Sequence, residues 1–273
     1  MTAHDTSDGT TTGVRARLER IGTDGRYVVI PMDHGITMGA VDGLRDIEST
    51  VGAITRNGAD AVLTQKGIAP RVHAAKEGAG YVVHLNASTT IGPDENDKRV
   101  TCTVEEAVRA GADGVSFHIN VGSDHEPRQI EDLASVTAEA GRLGIPVLAM
   151  AYARGPGVDG HDPEALGHAV RLAEELGADL VKTSYSGDAD SFEHVTGSTR
   201  LPVVIAGGEP DGDLATLRSV RGAMDAGAAG VSMGRTVFQH ADPGAITRAV
   251  AEVVHRDRSP EAALEEAGLA VEA

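Results

Sequence analysis

The sequence predicts a (β/α)8 barrel, and three observations predict it. The chain has 273 residues, and a barrel of this class typically takes about 250. One phrase recurs, as Gly58-Ala59-Asp60-Ala61-Val62, Gly111-Ala112-Asp113-Gly114-Val115, Gly177-Ala178-Asp179-Leu180-Val181 and Gly227-Ala228-Ala229-Gly230-Val231. Each copy follows a helical stretch such as Glu105-Glu106-Ala107-Val108-Arg109-Ala110. The glycine reads as a left-handed helix cap, and the small residues after it as a turn into an apolar strand. Successive copies lie about 50 to 66 residues apart, room for two βα units of roughly 25 to 30 residues each, so about eight units fit the chain. Third, the strand candidates are continuous apolar runs rather than alternating ones. Parallel strands buried on both faces have that pattern.

Taken in order, the strand candidates are 27–33, 61–66, 81–86, 114–120, 146–152, 179–184, 202–206 and 230–234. Helices fit every gap, for example 43–56, 163–176 and 214–226. Asp162 before Pro163 is an N-cap followed by a proline at the first helical position. Ser259-Pro260 repeats that signal for a last helix ending near Ala267. No low-complexity segment or linker divides the chain. The expected organisation is a flexible N-terminal tail over 1–12, one barrel over 13–268 and a C-terminal tail over 269–273. A doubly wound open sheet is the rival that periodicity leaves open.

Composition narrows the function classes. The net charge is −17, from 41 acidic and 24 basic residues, which argues against nucleic acid and anionic membranes as partners. An acidic chain with only four lysines and no tryptophan reads as adapted to high salt, where screening removes its self-repulsion. An ordinary acidic cytosolic enzyme is the plainer reading. No apolar run approaches the roughly 20 residues of a membrane span. The first residues lack the charged-then-apolar plan of a signal peptide. Cys102 is the single cysteine, so no intramolecular disulfide forms and a cytoplasmic location is expected.

In such a barrel the chemistry sits at the carboxyl ends of the strands. Lys182 ends an apolar strand there, a place where an ammonium is costly to bury. Lysine, unlike arginine, can lose its proton in an apolar site and attack a carbonyl. The plainer alternative is a lysine whose stem packs while its head reaches water. Tyr152 and Asp33 end two further strands, and with Lys182 they make a set for imine chemistry: amine nucleophile, proton-donating hydroxyl, proton-shuttling carboxylate. Lys66, at another strand end, is positioned to depress the Lys182 pKa by like-charge repulsion. Alternatively Tyr152 is a rim tyrosine, and Asp33 a helix cap or a partner of Arg154.

Two further readings come from the same ends. Gly207-Gly208 and Gly234-Arg235 follow the seventh and eighth strands, where barrels commonly bind phosphate on backbone N–H groups. Arg235 adds a charge-assisted contact; tight βα turns alone would also explain the glycines. His34, His84 and His118, with Asp33, offer a metal alternative. They show no ligand spacing such as His-x-His, and no metal or other cofactor is expected.

The strand ends together resemble the archaeal class I aldolase family of aldolase-type barrels. The match is closest to its branch of 2-amino-3,7-dideoxy-D-threo-hept-6-ulosonate synthases. The residues carrying the resemblance are Val29-Ile30-Pro31-Met32-Asp33-His34-Gly35, Gln65-Lys66-Gly67-Ile68, Ile119-Asn120-Val121-Gly122-Ser123 and Val181-Lys182-Thr183-Ser184-Tyr185-Ser186-Gly187-Asp188. Ala206-Gly207-Gly208 and Met233-Gly234-Arg235-Thr236-Val237-Phe238-Gln239-His240 continue it. The resemblance implies that Lys182 forms the Schiff base, Tyr152 donates the proton and Asp33 accepts it. It places substrate and phosphate contacts on His34, Gly35, Arg154, Gly207, Gly208, Gly234 and Arg235, and Lys66 is a further candidate binding residue. Where family members have Tyr-Pro-Arg-Gly, this chain has Tyr152-Ala153-Arg154-Gly155. The implied reaction is a metal-independent transaldol transfer from a phosphorylated keto-sugar to L-aspartate semialdehyde, toward 3-dehydroquinate and the aromatic amino acids. The resemblance also implies a homo-oligomer, since family members form decamers. A class I fructose-bisphosphate aldolase, a metal-dependent lyase and a non-catalytic sugar-phosphate binder are the alternatives.

Overall fold

The computed structural model describes residues 11–208 and 212–271. Eight parallel strands close into a barrel. They are β1 Tyr27–Pro31, β2 Ala61–Gln65, β3 Gly80–His84, β4 Gly114–Val121, β5 Val147–Ala153, β6 Leu180–Thr183, β7 Val203–Ala206 and β8 Gly230–Ser232. Each pairs with its neighbours in sequence, and β8 returns to β1 through the register Tyr27↔Gly230 to Val29↔Ser232. This closure rules out the open sheet. The strand boundaries lie within two residues of those expected at either end.

Side chains alternate between two cores along each strand. Val28, Ile30, Val62, Phe117, Val181 and Ile205 face outward into a core shared with the surrounding helices. Tyr27, Val29, Leu63, Val82, Leu148 and Val204 fill the barrel interior. Both faces are dry, which is why the strands read as unbroken apolar runs.

The recurring phrase has two structural roles. Gly58, Gly111, Gly177 and Gly227 all take positive φ, between 81° and 103°, a conformation that glycine alone adopts without strain at a helix end. The aspartate two residues on is more than a turn residue. Asp60, Asp113 and Asp179 accept the main-chain N–H of Val28, Tyr81 and Val147 at 2.7, 3.0 and 2.9 Å. Their own N–H groups donate to the carbonyls of those same residues. Each aspartate thus locks the entry of one strand onto the entry of its neighbour. The fourth copy carries Ala229, which keeps only the main-chain bond, to the Val203 carbonyl at 2.7 Å.

A helix over Thr12–Ile21 precedes β1 and was not foreseen. Its Ile21 and Leu18 pack on the interior core, and its Arg20 pairs with Asp113 at 2.8 Å. The helix therefore stops the mouth at the strands' N-terminal ends. Of the tail expected over 1–12, residues 1–10 lie outside the described residues, while Thr11 caps this helix and Thr12 begins it. Of 269–273, residues 272 and 273 also lie outside them; Leu269 packs against the outer core.

The expected helices form as Ile47–Thr55, Pro163–Glu175, Asp213–Asp225 and Pro260–Ala267. Asp162 and Ser259 cap theirs by accepting the N–H of Ala165 and Ala262. Between β3 and β4 the chain makes an excursion that carries a small antiparallel ribbon, Asn86–Ala87 with Arg99–Val100. Among the described residues no helix is long and apolar enough to cross a membrane.

Candidate active site

The carboxyl ends of the strands line one cavity of about 570 Å³. Strand β5 contributes Tyr152 and Arg154, β6 Lys182 and Ser184, β7 Gly207 and Gly208, and β8 Ser232, Gly234 and Arg235; His34 reaches it from the segment after β1. Seven of the predicted residues thus converge with the lysine.

Lys182 points inward because Leu180, two residues earlier, does. It lies level with Met150 and Val204 and is 7% exposed. Among the described residues its ammonium has no hydrogen-bond or ion-pair partner. Its stem packs in the interior and its head opens on the cavity.

Asp33 follows β1, at the cap position of the short helix His34–Met38, yet its side chain makes no cap bond. Its carboxylate faces His34 Nδ1 at 3.6 Å and His84 Nε2 at 3.7 Å. Burial by itself pushes its pKa up. The charges of His84, His34 and Lys182 outweigh that and hold the carboxyl below its ordinary range. Burial pushes both histidines down, with Asp33 opposing it. At neutral pH this corner therefore holds an ionised carboxylate beside two neutral imidazoles.

Tyr152 is buried, one inward position above Met150. The Arg154 guanidinium lies 4.6 Å from its ring centroid, and the His118 ring stands 5.1 Å away. His118 bonds Asn120 Oδ1 through Nε2 at 2.7 Å, and burial drives its pKa well down. His84 spends Nδ1 on Ser116 Oγ at 2.7 Å. The proposed metal set of His34, His84, His118 and Asp33 is thus split, with His118 committed to Asn120. Among the described residues no group of three or more His, Cys, Asp or Glu side chains is arranged to hold a metal ion.

Two expected contacts lie away from the cavity lining. Lys66 opens a short 3-10 turn just past β2. Gln65 takes the inward position, so Lys66 turns away and pairs with Glu106 at 2.7 Å. That bond raises its pKa, and it does not line the cavity. Lys66 is therefore not placed to press on Lys182. Gly35 is exposed in the short helix and also lies outside the cavity lining.

The glycine side is close-packed. A Cβ at Gly207 would meet Thr236 Oγ1 at 2.8 Å, and one at Gly234 would strike His34 and the Pro31 carbonyl. The main chain can therefore approach a ligand more closely than any side chain would permit. Arg235 brings positive charge to the same wall and acts on His34. Ser232 Oγ is buried there without a hydrogen bond, which marks polar capacity left for a ligand, while His34 Nδ1, also without one, faces the Asp33 carboxylate.

Sequence reasoning missed His161, Tyr185, Thr216 and Ser219, which line the cavity from loops and the helix Asp213–Asp225. His161 Nδ1 bonds the Tyr185 carbonyl at 2.8 Å and ties the loop after β5 to the loop after β6. These residues stand at no strand end and repeat at no period. The Thr183-Ser184-Tyr185 run was the one available signal.

Comparison with known proteins agrees with this geometry. A match to the DeoC/LacD family of aldolases spans residues 27–240. A 2-amino-3,7-dideoxy-D-threo-hept-6-ulosonate synthase of Halobacterium salinarum is 69% identical over 264 residues, 97% of this chain and all of that one. A class 1 fructose-bisphosphate aldolase of the same species is 33% identical over 254 residues, covering 89% and 96% of the two chains. Among solved structures, a Schiff-base-forming fructose-1,6-bisphosphate aldolase superposes with a TM-score of 0.81 at 32% identity, over 88% of this chain and 99% of that one.

Proposed function

The chain belongs to the DeoC/LacD aldolase family, and on that premise we propose that it is a lysine-imine transaldolase, a 2-amino-3,7-dideoxy-D-threo-hept-6-ulosonate synthase. The observation that carries the choice over a fructose-bisphosphate aldolase is identity. The synthase relative shares 69% of residues across its whole length, and the aldolase relative 33%.

In this reading the Lys182 amine adds to a ketone of a phosphorylated deoxy-keto-hexose, and loss of water leaves an imine. Tyr152 takes the proton of the hydroxyl on the carbon β to the imine, one end of the breaking C–C bond, which becomes the carbonyl of the released fragment. The electron pair of that bond flows into the imine, giving an enamine and releasing a three-carbon phosphate fragment. The enamine then attacks the aldehyde carbon of L-aspartate semialdehyde, and Tyr152 returns its proton to the new alkoxide. Water hydrolyses the product imine and frees Lys182. Asp33, ionised beside Lys182, shuttles the protons of imine formation and hydrolysis. The imine is the electron sink, so no step calls for a metal. Gly207, Gly208, Gly234 and Arg235 bind the phosphate. The product feeds a route to 3-dehydroquinate and the aromatic amino acids. The reading includes a cytoplasmic location, from the single cysteine, and a homo-oligomer, from the resemblance.

Borohydride reduction in the presence of the keto-sugar phosphate tests the nucleophile. Peptide mapping is expected to find the adduct on Lys182, and a label on Lys66 or on no lysine sinks the assignment. Product analysis with and without L-aspartate semialdehyde tests the acceptor. A new amino-keto-acid is expected only when the semialdehyde is present. Cleavage of fructose bisphosphate that ignores the semialdehyde would establish the plain aldolase instead.

A further inference from the structure

The transfer involves two anionic groups of different shape, the sugar's phosphate and the acceptor's carboxylate. The glycine side accounts for the first. Two cations have no assigned partner group in that mechanism: Arg154, a substrate contact by the resemblance, which lines the cavity, and Lys98, which lies outside the cavity lining on a segment bonded to Asn120 near the end of β4.

One is Lys98, on the excursion between β3 and β4. It is 8% exposed, far below what a chain with exposed arginines throughout needs of a lysine. The segment that carries it is built into place. The Asn96 carbonyl accepts from Gln129 Nε2 at 2.6 Å and from Asn120 Nδ2 at 3.4 Å. Ser88 Oγ donates to the Glu95 carbonyl at 2.6 Å, and Lys98 Nζ donates to Ser88 Oγ at 2.7 Å. The other cation is Arg154, lying over the Tyr152 ring. Among the described residues neither has an ion-pair partner. Acidic residues are not scarce, at 41 against 24 basic ones, and Arg20, Arg99 and Arg171 each hold a carboxylate. Burial and the Arg154 charge both weigh against a charged Lys98, with Glu95 and Asp33 opposing. The two cations repel each other and act on the buried His118, and a bound anion would relieve that repulsion beyond what Glu95 and Asp33 do.

Their position says which anion. Tyr152 handles the oxygen of the incoming aldehyde, and Arg154 is stacked on Tyr152. The carboxylate of an amino-acid semialdehyde lies a short carbon chain from its aldehyde carbon, and so falls beside that guanidinium. A planar guanidinium fork matches a planar carboxylate, and an ammonium adds a point charge. We propose that Lys98 and Arg154 form a second anion subsite that binds the negatively charged end of the acceptor aldehyde, here a carboxylate. The proposal rests on the transaldolase reading above for the acceptor's identity, but not for the existence of the subsite.

The test uses the full-length protein with Lys98→Met, and Lys98→Arg as the charge-keeping companion. Three acceptors are compared: L-aspartate semialdehyde, glyceraldehyde 3-phosphate and uncharged propionaldehyde. Borohydride trapping of the donor on Lys182 should persist in both variants. With Lys98→Met, kcat/KM for the charged acceptor is expected to fall about 30-fold or more, the scale of losing one partner of a buried charged contact. Propionaldehyde should lose far less, and Lys98→Arg should recover most of the difference. Should Lys98→Met not fold, Arg154→Gln at the exposed half of the pair carries the same comparison. An equal loss for charged and uncharged acceptors would reduce Lys98 to a structural role. No loss with the charged acceptor would place its anion elsewhere, on the glycine side. Discrimination seen with glyceraldehyde 3-phosphate in a wild type that ignores the semialdehyde would keep the subsite and overturn the acceptor's identity.

Discussion

The two mouths of the barrel are built from the same repeating unit and treat polar groups in opposite ways. At the N-terminal mouth the buried carboxylates are spent. Asp60 takes the Val28 N–H, the Thr23 hydroxyl and His255; Asp113 takes the Tyr81 N–H and Arg20; and a helix covers the opening. At the C-terminal mouth polar groups are left unspent: the Lys182 ammonium, His34 Nδ1 and Ser232 Oγ have no hydrogen bond among the described residues, and Lys98, bonded only to the Ser88 hydroxyl, and Arg154 have no carboxylate. One end closes its hydrogen bonds internally and holds the barrel shut. The other carries unsatisfied groups that only a ligand completes, a standing cost that stability alone would not retain. Within one repeat, Asp179 and Lys182 stand three residues apart and belong to different ends.

That division is sharpest at Tyr152. Tyr152→Phe removes one hydroxyl from the open mouth and nothing from the closed one. Turnover is expected to fall roughly 10²-fold or more, the scale of losing a general acid, while the melting temperature holds and borohydride still traps the donor on Lys182. A variant that turns over normally would take Tyr152 out of the mechanism. A fall in melting temperature alongside activity would show that the two mouths are not separable.

The closed mouth should answer the other way. Asp113→Ala strands the buried Tyr81 N–H and frees Arg20, and with it the docking of the helix Thr12–Ile21. A buried donor left without its acceptor costs about 1–3 kcal/mol, and each kcal/mol is worth roughly 2–4 °C in a domain of this size. The melting temperature should drop accordingly, with kcat unchanged per folded molecule. Loss of kcat at an unchanged melting temperature would reverse the assignment of the two ends.

The two mouths also differed in how far the sequence disclosed them. Strand positions were legible because both faces are buried, and Lys182 could be read as inward once Leu180 fixed the phase. The glycine caps were legible because only φ > 0 requires them. The direction of Lys66 was not legible because strand alternation breaks at the 3-10 turn that begins there. Lys98 was passed over because it comes to the mouth on an excursion with no periodicity, and only tertiary hydrogen bonds to Gln129 and Asn120 bring it back. The Gly-Ala-Asp phrase was seen, but its aspartate bonds to a strand more than thirty residues away in sequence, and no local pattern reports such a bond.

Asp179 is the exception within the closed mouth, and it gives the finest test. Like its two sisters it accepts a strand N–H, from Val147 at 2.9 Å. Unlike them it has no cationic partner among the described residues. Burial pushes its pKa up to about 6, the Val147 bond opposing, and its charge helps push Tyr27 up to about 12, after burial. An acid whose folded pKa lies above its unfolded value holds more protons folded than unfolded between those two values. Stability from this site is therefore full below pH 4 and is lost as the pH rises to about 6. Above that, the protein carries a partly buried carboxylate that has the Val147 N–H but no ion-pair partner among the described residues. Asp179→Asn keeps an oxygen for the Val147 N–H and removes the charge. The variant should melt higher than the wild type at pH 7, by roughly 2–4 °C if ~1 kcal/mol is recovered, and the gap should close as the pH falls toward 4. The difference between the two melting curves isolates this group from the other carboxylates, which titrate in both proteins. A gap that is absent at pH 7, or that stays constant from pH 4 to 8, would mean that the Asp179 charge costs the closed mouth nothing.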